Sequence, residues 1–353
     1  MRTADDPNAD PAPLPTGSAM GPPASSARRV ALRGAGGLAL LPAMAWAGYP
    51  ERPVRLVVSR PPGGVSDVIG RALARGLTEQ VRQFVIVENV AGDRGAAGAR
   101  AVAAAPPDGY TLLLADPGHL RVIAGAADDT PKLARDFVPL ALAAVSALVL
   151  VVDAERIRAD SMPALMKLAA SRDAPLRMAS PGPFAFSRLV GEEFLGHTGL
   201  RAVHEPATTL RETLRQLLEG RADLAFVPAG VALAQIQAGR LRPIGVTTRR
   251  PVATLPTVPP LVEHDARLLA PVWHAVAAPA GLPRDLRDRL QSAVVAARAE
   301  ADFATTIAAV GANPAILPAA ELPAFLDAQS RRWGLVAARL PRAPARSAGD
   351  GSR

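Results

Sequence analysis

Short aliphatic runs alternate with segments of helical periodicity between residues 54 and 115, and this alternation constrains the fold more than any other feature. The runs VRLVV (54–58), FVIVENV (84–90) and YTLLLA (110–115) have the length and composition of buried strands. Apolar residues recur at helical spacing between them, which predicts helices at 66–81 and 96–105. Buried strands separated by helices are typical of a parallel sheet built from βαβ units.

A second series of the same kind follows the apolar run at 141–153. Strands are expected at 176–180, 222–227 and 241–248, and helices at 161–171, 187–195, 209–219 and 229–238. The Pro-rich segment 251–271 would then return the chain, and helices at 283–298 and 321–337 would complete the first unit. The pattern therefore predicts an α/β protein in which a second α/β domain is inserted into the first.

The segment RPPGGVSDVIG (60–70) joins the first strand to the first helix and is the strongest candidate for a binding loop. If the strand order is 2-1-3, the ligand crevice lies between strands 1 and 3, at the loops 60–67 and 116–121. Gly63 and Gly64 leave backbone N–H groups uncovered, and Gly64 can adopt a positive φ. Ser66 or Asp67 can cap the helix, whose dipole favours an anion in the crevice. The alternative is a plain helix-capping turn.

The first 47 residues are expected to be a disordered leader followed by a signal peptide. Residues 1–27 are rich in Pro, Ala, Ser and Asp and show no apolar periodicity. Three arginines then precede a short apolar stretch that ends in an A-x-A sequence at 45–47, so cleavage is expected near Ala47 and the mature protein in the periplasm. Secretory and twin-arginine export both remain open, and a buried N-terminal helix is the alternative.

Composition disfavours several classes of function. The chain has no cysteine, which excludes disulfides and thiolate chemistry. The net charge is +8, but the basic residues are dispersed and aromatic residues make up only 4%, so we expect no nucleic-acid partner. The five histidines lack metal-ligand spacing, and no G-x-S-x-G, H-E-x-x-H, P-loop or dinucleotide motif is present. We therefore expect no metal, no cofactor and no catalytic residues.

An ordered series of segments resembles the Bug family, the periplasmic substrate-binding components associated with tripartite tricarboxylate transporters. The series runs from about residue 49 to 340 and includes YPERPVRLVVSRPPGGVSDVIGRALARGL, VIVENVAGDRGAAGARAVAAAPPDGYTLLLA, ARDFVPL, LEGRADLAF, AGRLRPIGVTTRRP and LPTVPPLVE. The resemblance implies a type II periplasmic binding protein fold, with two α/β lobes, a hinge and a cleft that closes on a small carboxylate.

In terms of that fold, lobe 1 would comprise residues 48–145 and 265–340, and lobe 2 residues 146–264. The hinge would consist of crossing segments near 141–147 and 246–272, and residues 341–353 would be a disordered tail.

The resemblance also carries binding roles to loops of both lobes. The residues expected to bind the ligand are Pro62, Gly63, Gly64, Ser66, Asp67, Asp116, Gly118, His119, Ser180, Gly182, Phe186, Arg188, Pro206, Ala207 and Thr208.

Several positions depart from the family's pattern. Ser66 replaces the usual Thr, residues 116–119 (DPGH) replace small and hydroxyl residues, residues 184–186 (FAF) replace Gly, Thr and Ser, and residues 206–209 (PATT) replace a Pro-Tyr-Lys-Gly turn. The site has fewer hydroxyl donors and more aromatic surface, with His119 and Arg188 added. These departures predict a more apolar or aromatic carboxylate, or loss of the usual ligand.

The favoured function is a monomeric receptor that captures a small organic carboxylate for a tripartite tricarboxylate-type uptake system or for a sensor. Its partner would be a membrane permease or a sensor kinase. Two alternatives stay open: an exported α/β hydrolase-like enzyme using Ser66 or Ser187, for which the sequence shows no base, and a sensory or scaffold protein with a degenerate ligand site.

Overall fold

The computed structural model describes residues 48–120, 133–182 and 185–340. The expected leader, the signal peptide with its cleavage position and the C-terminal tail lie outside these residues. Within the described ranges, no helix is both long enough and apolar enough to cross a membrane.

The first sheet contains six strands in the described part of the chain. They are β1 (Val54–Val58), β2 (Val85–Asn89), β3 (Thr111–Ala115), β4 (Phe137–Ser146), β10 (Val272–Pro279) and β11 (Ala312–Pro314). Their order across the sheet is β11-β4-β10-β3-β1-β2. Because β1 pairs in parallel with both β2 and β3, the 2-1-3 order on which the expected crevice depends is confirmed.

The second sheet contains five strands of the described residues. They are β5 (Leu148–Asp153), β6 (Leu176–Ser180), β7 (Ala202–Pro206), β8 (Leu224–Pro228) and β9 (Leu241–Val246), and their order is β7-β6-β8-β5-β9. Strand β6 is parallel to β7 and β8, whereas β5 is antiparallel to β8 and β9. The carboxyl ends of β6, β7 and β8 therefore share one edge of this sheet.

Helices cover both sheets and bury their apolar faces against them. They are α1 (Val65–Val81), α2 (Ala96–Ala103), α3 (Leu133–Asp136), α4 (Met162–Ala170), α5 (Phe186–Thr198), α6 (Leu210–Leu218), α7 (Ala229–Gln237), α8 (Arg284–Arg298), α9 (Ala301–Ala308) and α10 (Leu322–Ala338). Within β1 the side chains alternate between two cores: Leu56 packs in the cluster that contains Ile69 of α1, and Val57 packs in the cluster that contains Val102 of α2.

Two connections carry the chain between the sheets. Strand β4 leads into β5 through Ala147 alone, so the apolar run 141–153 is divided between two sheets. The chain returns through 247–271, where Thr247 Oγ1 accepts the Leu148 N–H at 3.0 Å. Two α/β sheets joined by such crossings form the two-lobed fold that the resemblance implied. The exact lobe boundaries stay a prediction.

Three strands and two helices of the described residues were not expected from the sequence. One of these helices, α3, has only four residues. Strand β7 (AVHEP) is a partly exposed edge strand with polar residues, and β10 (VWHAVAAP) is rich in alanine, so both lack a strong β-branched signal. Strand β11 has only three residues. Helix α9 begins three residues after α8 ends, so the sequence between them is too short to mark α9 as a separate helix.

Candidate functional site

The β1–α1 loop presents an uncapped helix end at the junction of β1 and β3. Pro62, Gly63 and Gly64 are exposed, and α1 begins after Gly64 with no side chain capping its first N–H groups. The positive φ expected at Gly64 occurs at Gly63 instead: φ is 79° at Gly63 and −83° at Gly64. Gly63 is therefore required by the backbone, whereas Gly64 occupies a conformation open to other residues.

Asp67 holds this loop in place through three hydrogen bonds. Its Oδ2 accepts the Gly63 N–H at 2.9 Å and Arg71 Nε at 3.0 Å, and its Oδ1 accepts Asn89 Nδ2 at 2.9 Å. Burial raises the pKa of Asp67, but these hydrogen bonds outweigh burial and the pKa lies below its ordinary value. Asp67 thus bonds the residue before the N-cap, and neither Asp67 nor Ser66 caps the helix in the expected way.

The loop after β3 is tied to the β1–α1 loop by Arg60, a residue that sequence reasoning missed. Arg60 Nε and Nη2 donate to the two carboxylate oxygens of Asp116 at 2.7 and 2.6 Å. Asp116 also accepts the Gly118 N–H at 2.8 Å. Burial raises the pKa of Asp116, but the charge of Arg60 and its hydrogen bonds hold the pKa well below its usual range. A Cβ on Gly118 would clash with the Arg60 guanidinium, so any larger residue there would displace this guanidinium from Asp116.

Two buried histidines lie behind these loops. His119 Nδ1 accepts the Asp116 N–H at 3.0 Å, which places the ring proton on Nε2. His274 on β10 is 1% exposed, and its Nε2 lies 3.3 Å from Ser66 Oγ. Burial lowers the pKa of His274 to about 4, so its ring is neutral at neutral pH.

The contact between Ser66 and His274 lacks the third member of a hydrolase triad. A catalytic histidine needs an acceptor at Nδ1 to fix its tautomer. In the described part of the chain, no carboxylate accepts a hydrogen bond from Nδ1 of His274. No sequence signal pointed to His274, which lies 208 residues from Ser66.

In the second sheet, Ser180 organises the loops after β6 and β7. Its carbonyl accepts the N–H groups of Gly182 at 2.7 Å and Ala207 at 3.0 Å, so both donors are used within the protein. Its Oγ lies 2.8 Å from Nε2 of His204 on β7. Burial and the charge of Arg188 lower the pKa of His204 to about 4, which leaves this ring neutral as well.

The residues of the β7–α6 turn differ in exposure. Pro206 and Thr208 are exposed, whereas Ala207 is 5% exposed. The next residue, Thr209, caps α6 by accepting the Glu212 N–H at 3.1 Å.

Phe186 and Arg188 lie in the first turn of α5. The ring of Phe186 packs edge to face on Trp333 of α10, with 4.8 Å between centroids. Arg188 is 8% exposed, and its Nη2 lies 2.5 Å from Glu192 Oε1. Burial lowers the pKa of Arg188, and its Nε and Nη1 have no hydrogen-bond partner among the residues the structure describes.

The predicted site residues thus fall into two clusters. The first cluster, at the carboxyl ends of β1 and β3, consists of Pro62, Gly63, Gly64, Ser66, Asp67, Asp116, Gly118 and His119. The second cluster, beyond β6 and β7, consists of Ser180, Gly182, Phe186, Arg188, Pro206, Ala207 and Thr208. In the ranges described, no group of three or more His, Asp or Glu side chains could hold a metal ion. Direct ligand contact by these residues stays a prediction.

Residues 69–340 match the model of a known family, the "Tripartite tricarboxylate transporter family receptor". Protein BugT of Bordetella pertussis is 32% identical over 301 residues, which cover 82% of this chain and 89% of BugT. The solved periplasmic binding protein BugD is 26% identical with a TM-score of 0.67, over 82% of this chain and 97% of BugD. The R. palustris protein Rpa4515, solved with adipate, is 26% identical with a TM-score of 0.69, over 83% of this chain and 99% of that protein.

These comparisons confirm the resemblance to the Bug proteins and the periplasmic-binding-protein fold. The family and the solved neighbours are substrate-binding proteins and not enzymes, so the hydrolase alternative is excluded. Because the family model matches most of the chain, the chain belongs to the tripartite tricarboxylate transporter receptor family, as a solute-binding receptor of the Bug type.

Proposed function

We propose that this receptor works in the periplasm, where it captures a small organic carboxylate between the two clusters and delivers it to a membrane permease of the tripartite tricarboxylate type. The observation that carries the proposal is the uncapped start of α1, a 17-residue helix, behind the exposed turn at Gly63 and Gly64. This helix end lies at the junction of β1 and β3, where open α/β sheets bind ligands.

The chemistry of the first cluster suits a carboxylate. The N–H groups at the start of α1 and the positive end of its dipole attract an anion without a charged side chain. Asp67 fixes the position of Gly63 by accepting its N–H group. The two carboxylate oxygens of Asp67 accept three hydrogen bonds in all, each from a donor of the protein itself. Ser66, held near the neutral His274, adds a hydroxyl at the edge of the same helix end.

The second cluster would close on the other side of the ligand. The crossings at Ala147 and 247–271 allow the sheets to rotate towards each other, as hinged receptors do.

The preference for an aromatic ligand that the sequence suggested rests on two residues. One, Phe184, lies outside the described residues, and the ring of the other, Phe186, packs on Trp333. The test compounds therefore include aliphatic dicarboxylates as well as aromatic carboxylates, since Rpa4515 was solved with adipate.

Location and partner follow from the same reasoning. The basic, apolar and A-x-A pattern that ends near Ala47 supports export, and the name of BugD describes it as periplasmic. A family named for transporter receptors supports a permease as partner. A sensor kinase, the other expected partner, has no comparable support.

The test is a thermal-shift and calorimetric screen of protein isolated from the periplasm. The panel is adipate, malate, citrate, benzoate and terephthalate, with the corresponding uncharged amides as matched controls. A carboxylate at 100 times its dissociation constant should add about 2.7 kcal/mol to the free energy of unfolding. We expect at least one acid to stabilise the protein while its amide does not. A folded protein that binds no acid of the panel would contradict the proposal.

A further inference from the structure

We propose that Arg188 makes the receptor selective for dianions: one anionic group of the ligand binds at the start of α1, and a second binds the Nε and Nη1 donors of Arg188. The inference rests on the proposed function and names the residue that would bind a second charge of the ligand, which the family assignment does not give. It is carried by the geometry of the first turn of α5.

Arg188 is placed where a ligand would meet the second cluster. It is the third residue of α5, a helix of 13 residues that starts with no capping side chain. Arg188 therefore lies in the first turn of α5, beside the N–H groups that no side chain caps. The charge of Arg188 acts on His204, which bonds Ser180 at the carboxyl end of β6. The open helix end and the guanidinium therefore favour an anion at the same place.

The hydrogen bonding of Arg188 is incomplete. The residue is 8% exposed, yet Glu192 contacts only Nη2. Glu192 itself keeps 28% of its side chain exposed, so water screens the charge it can offer. Nε and Nη1 are buried and have no partner within the described ranges. A buried guanidinium with two unused donors is stabilised by any acceptor that reaches it, and most strongly by a charged one.

Two partly exposed arginines in the same region show what a purely structural arginine looks like. Arg177 on β6 donates to both oxygens of Asp223 and to the Gly220 carbonyl. Arg332 on α10 donates to both oxygens of Glu193 and to two backbone carbonyls. Arg188 differs from both because two of its three guanidinium nitrogens have no acceptor among the described residues. This difference is what marks it as a binding group.

The charge of the ligand follows from the donors. A carboxylate offers acceptors on both oxygens, whereas the NH2 of a primary amide would face the N–H groups of Arg188. Replacing the second carboxylate of a dicarboxylate by an amide should therefore lose a charge-assisted interaction and leave the arginine unpaired. Glu192 partly neutralises Arg188, so removing the charge of Glu192 should strengthen anion binding.

The experiment compares a dicarboxylate with its monoamide by calorimetric titration of the exported full-length protein. The probes are adipate and adipamate, or the tightest dicarboxylate of the panel and its monoamide. We expect the wild type to prefer the dicarboxylate at least about tenfold. Arg188→Gln should bind it at least about tenfold more weakly and lose the preference. Glu192→Gln should bind it more tightly, and Arg240→Gln, an exposed arginine at the opposite edge of the second sheet, should match the wild type.

A second readout does not depend on any variant. The guanidinium Nε–H signal of Arg188 in a 15N NMR spectrum of the wild type should move downfield with the dicarboxylate and stay in place with the monoamide. If the wild type binds a carboxylate but Arg188→Gln keeps its preference, or if only monocarboxylates bind, this inference is wrong while the proposed function stands. If the wild type binds no carboxylate at all, the proposed function is wrong and the inference falls with it.

Discussion

Replacing Asp116 by Asn should destabilise the protein by breaking the ion pair that joins the two loops of the first cluster. Asp116 is 5% exposed and pairs with Arg60 through two bonds of 2.6 and 2.7 Å. Breaking a buried pair typically costs about 3–5 kcal/mol. Arg60 keeps 31% of its side chain exposed, so water can solvate it after the change. An Asn oxygen can also still accept the Gly118 N–H. We therefore expect a loss of about 2–3 kcal/mol at pH 7.

The same variant should show a characteristic pH dependence. The pKa of Asp116 in the folded protein is well below its usual range, whereas an unfolded aspartate titrates near about 3.9. A carboxyl group whose pKa is lower in the folded than in the unfolded protein stabilises the folded state. This stabilisation is complete above the pKa of the unfolded state and is lost as the pH falls towards the pKa of the folded state. The difference in unfolding free energy between wild type and Asp116→Asn should therefore be constant above about pH 5 and shrink below about pH 4.

Urea unfolding at several pH values measures both effects. Asp288→Asn is the matched control, because Asp288 pairs with arginines at an exposed site and its change should alter stability little. Gly118→Ala should cost a similar amount to Asp116→Asn, since its Cβ displaces the same guanidinium. The double variant should cost little more than the worse single variant, because both changes remove one interaction. Equal stability of wild type and Asp116→Asn at pH 7, or a difference that persists undiminished at pH 3, would refute the reasoning.

Three further predictions concern the loop, the hinge and the N-terminus. Asp67→Ala should lower the unfolding free energy by about 2 kcal/mol in urea titrations, because Gly63, Arg71 and Asn89 lose their acceptor; an unchanged midpoint would show that the loop does not depend on it. A saturating carboxylate should reduce the radius of gyration in small-angle scattering as the lobes close, and identical profiles with and without a bound ligand would argue against a hinge. Intact-mass analysis of periplasmic protein should find Gly48, within a few residues, as the first residue, whereas a mass that includes Met1 would disprove cleavage.

Much of the fold could be predicted because strong local patterns coincide with buried elements. Strands β1 and β3 are short runs dominated by aliphatic residues, and α1 carries its apolar residues on one face. Each of these elements was therefore expected within a residue or two of its observed limits. The apolar run 141–153 shows no break of its own, and the lobe boundary expected within it at 145/146 came from the family resemblance and not from a local pattern. In the structure Ala147 separates β4 from β5, and Thr247, 99 residues further along the chain, accepts the Leu148 N–H at the start of β5.

The site was predictable to a smaller extent. The glycine-rich turn after β1 is a local signal, and the structure places it at the expected junction. The roles of Arg60 and His274 depend on partners 56 and 208 residues away in the sequence, which no local pattern reveals. Likewise, only the structure shows that, among the residues it describes, Arg188 has a single carboxylate contact and two unused donors.

Binding by Gly64→Val tests most directly whether the β1–α1 loop holds the ligand. A Cβ at this position would meet no atom nearer than the Pro61 carbonyl oxygen at 3.7 Å, and φ is −83°, so the variant should fold with a loss of about 1 kcal/mol or less. The added side chain would stand in front of the N–H groups of α1. Gly334→Val is the control, because a Cβ there meets no atom within 4 Å outside its own helix and chain neighbours.

The measurement is calorimetric titration of both variants with the tightest carboxylate of the panel, with circular dichroism to confirm folding. We expect Gly64→Val to remain folded and lose binding, while Gly334→Val binds like the wild type. A folded Gly64→Val protein with wild-type affinity would contradict the assignment, because the start of α1 could not then be the place where the carboxylate binds.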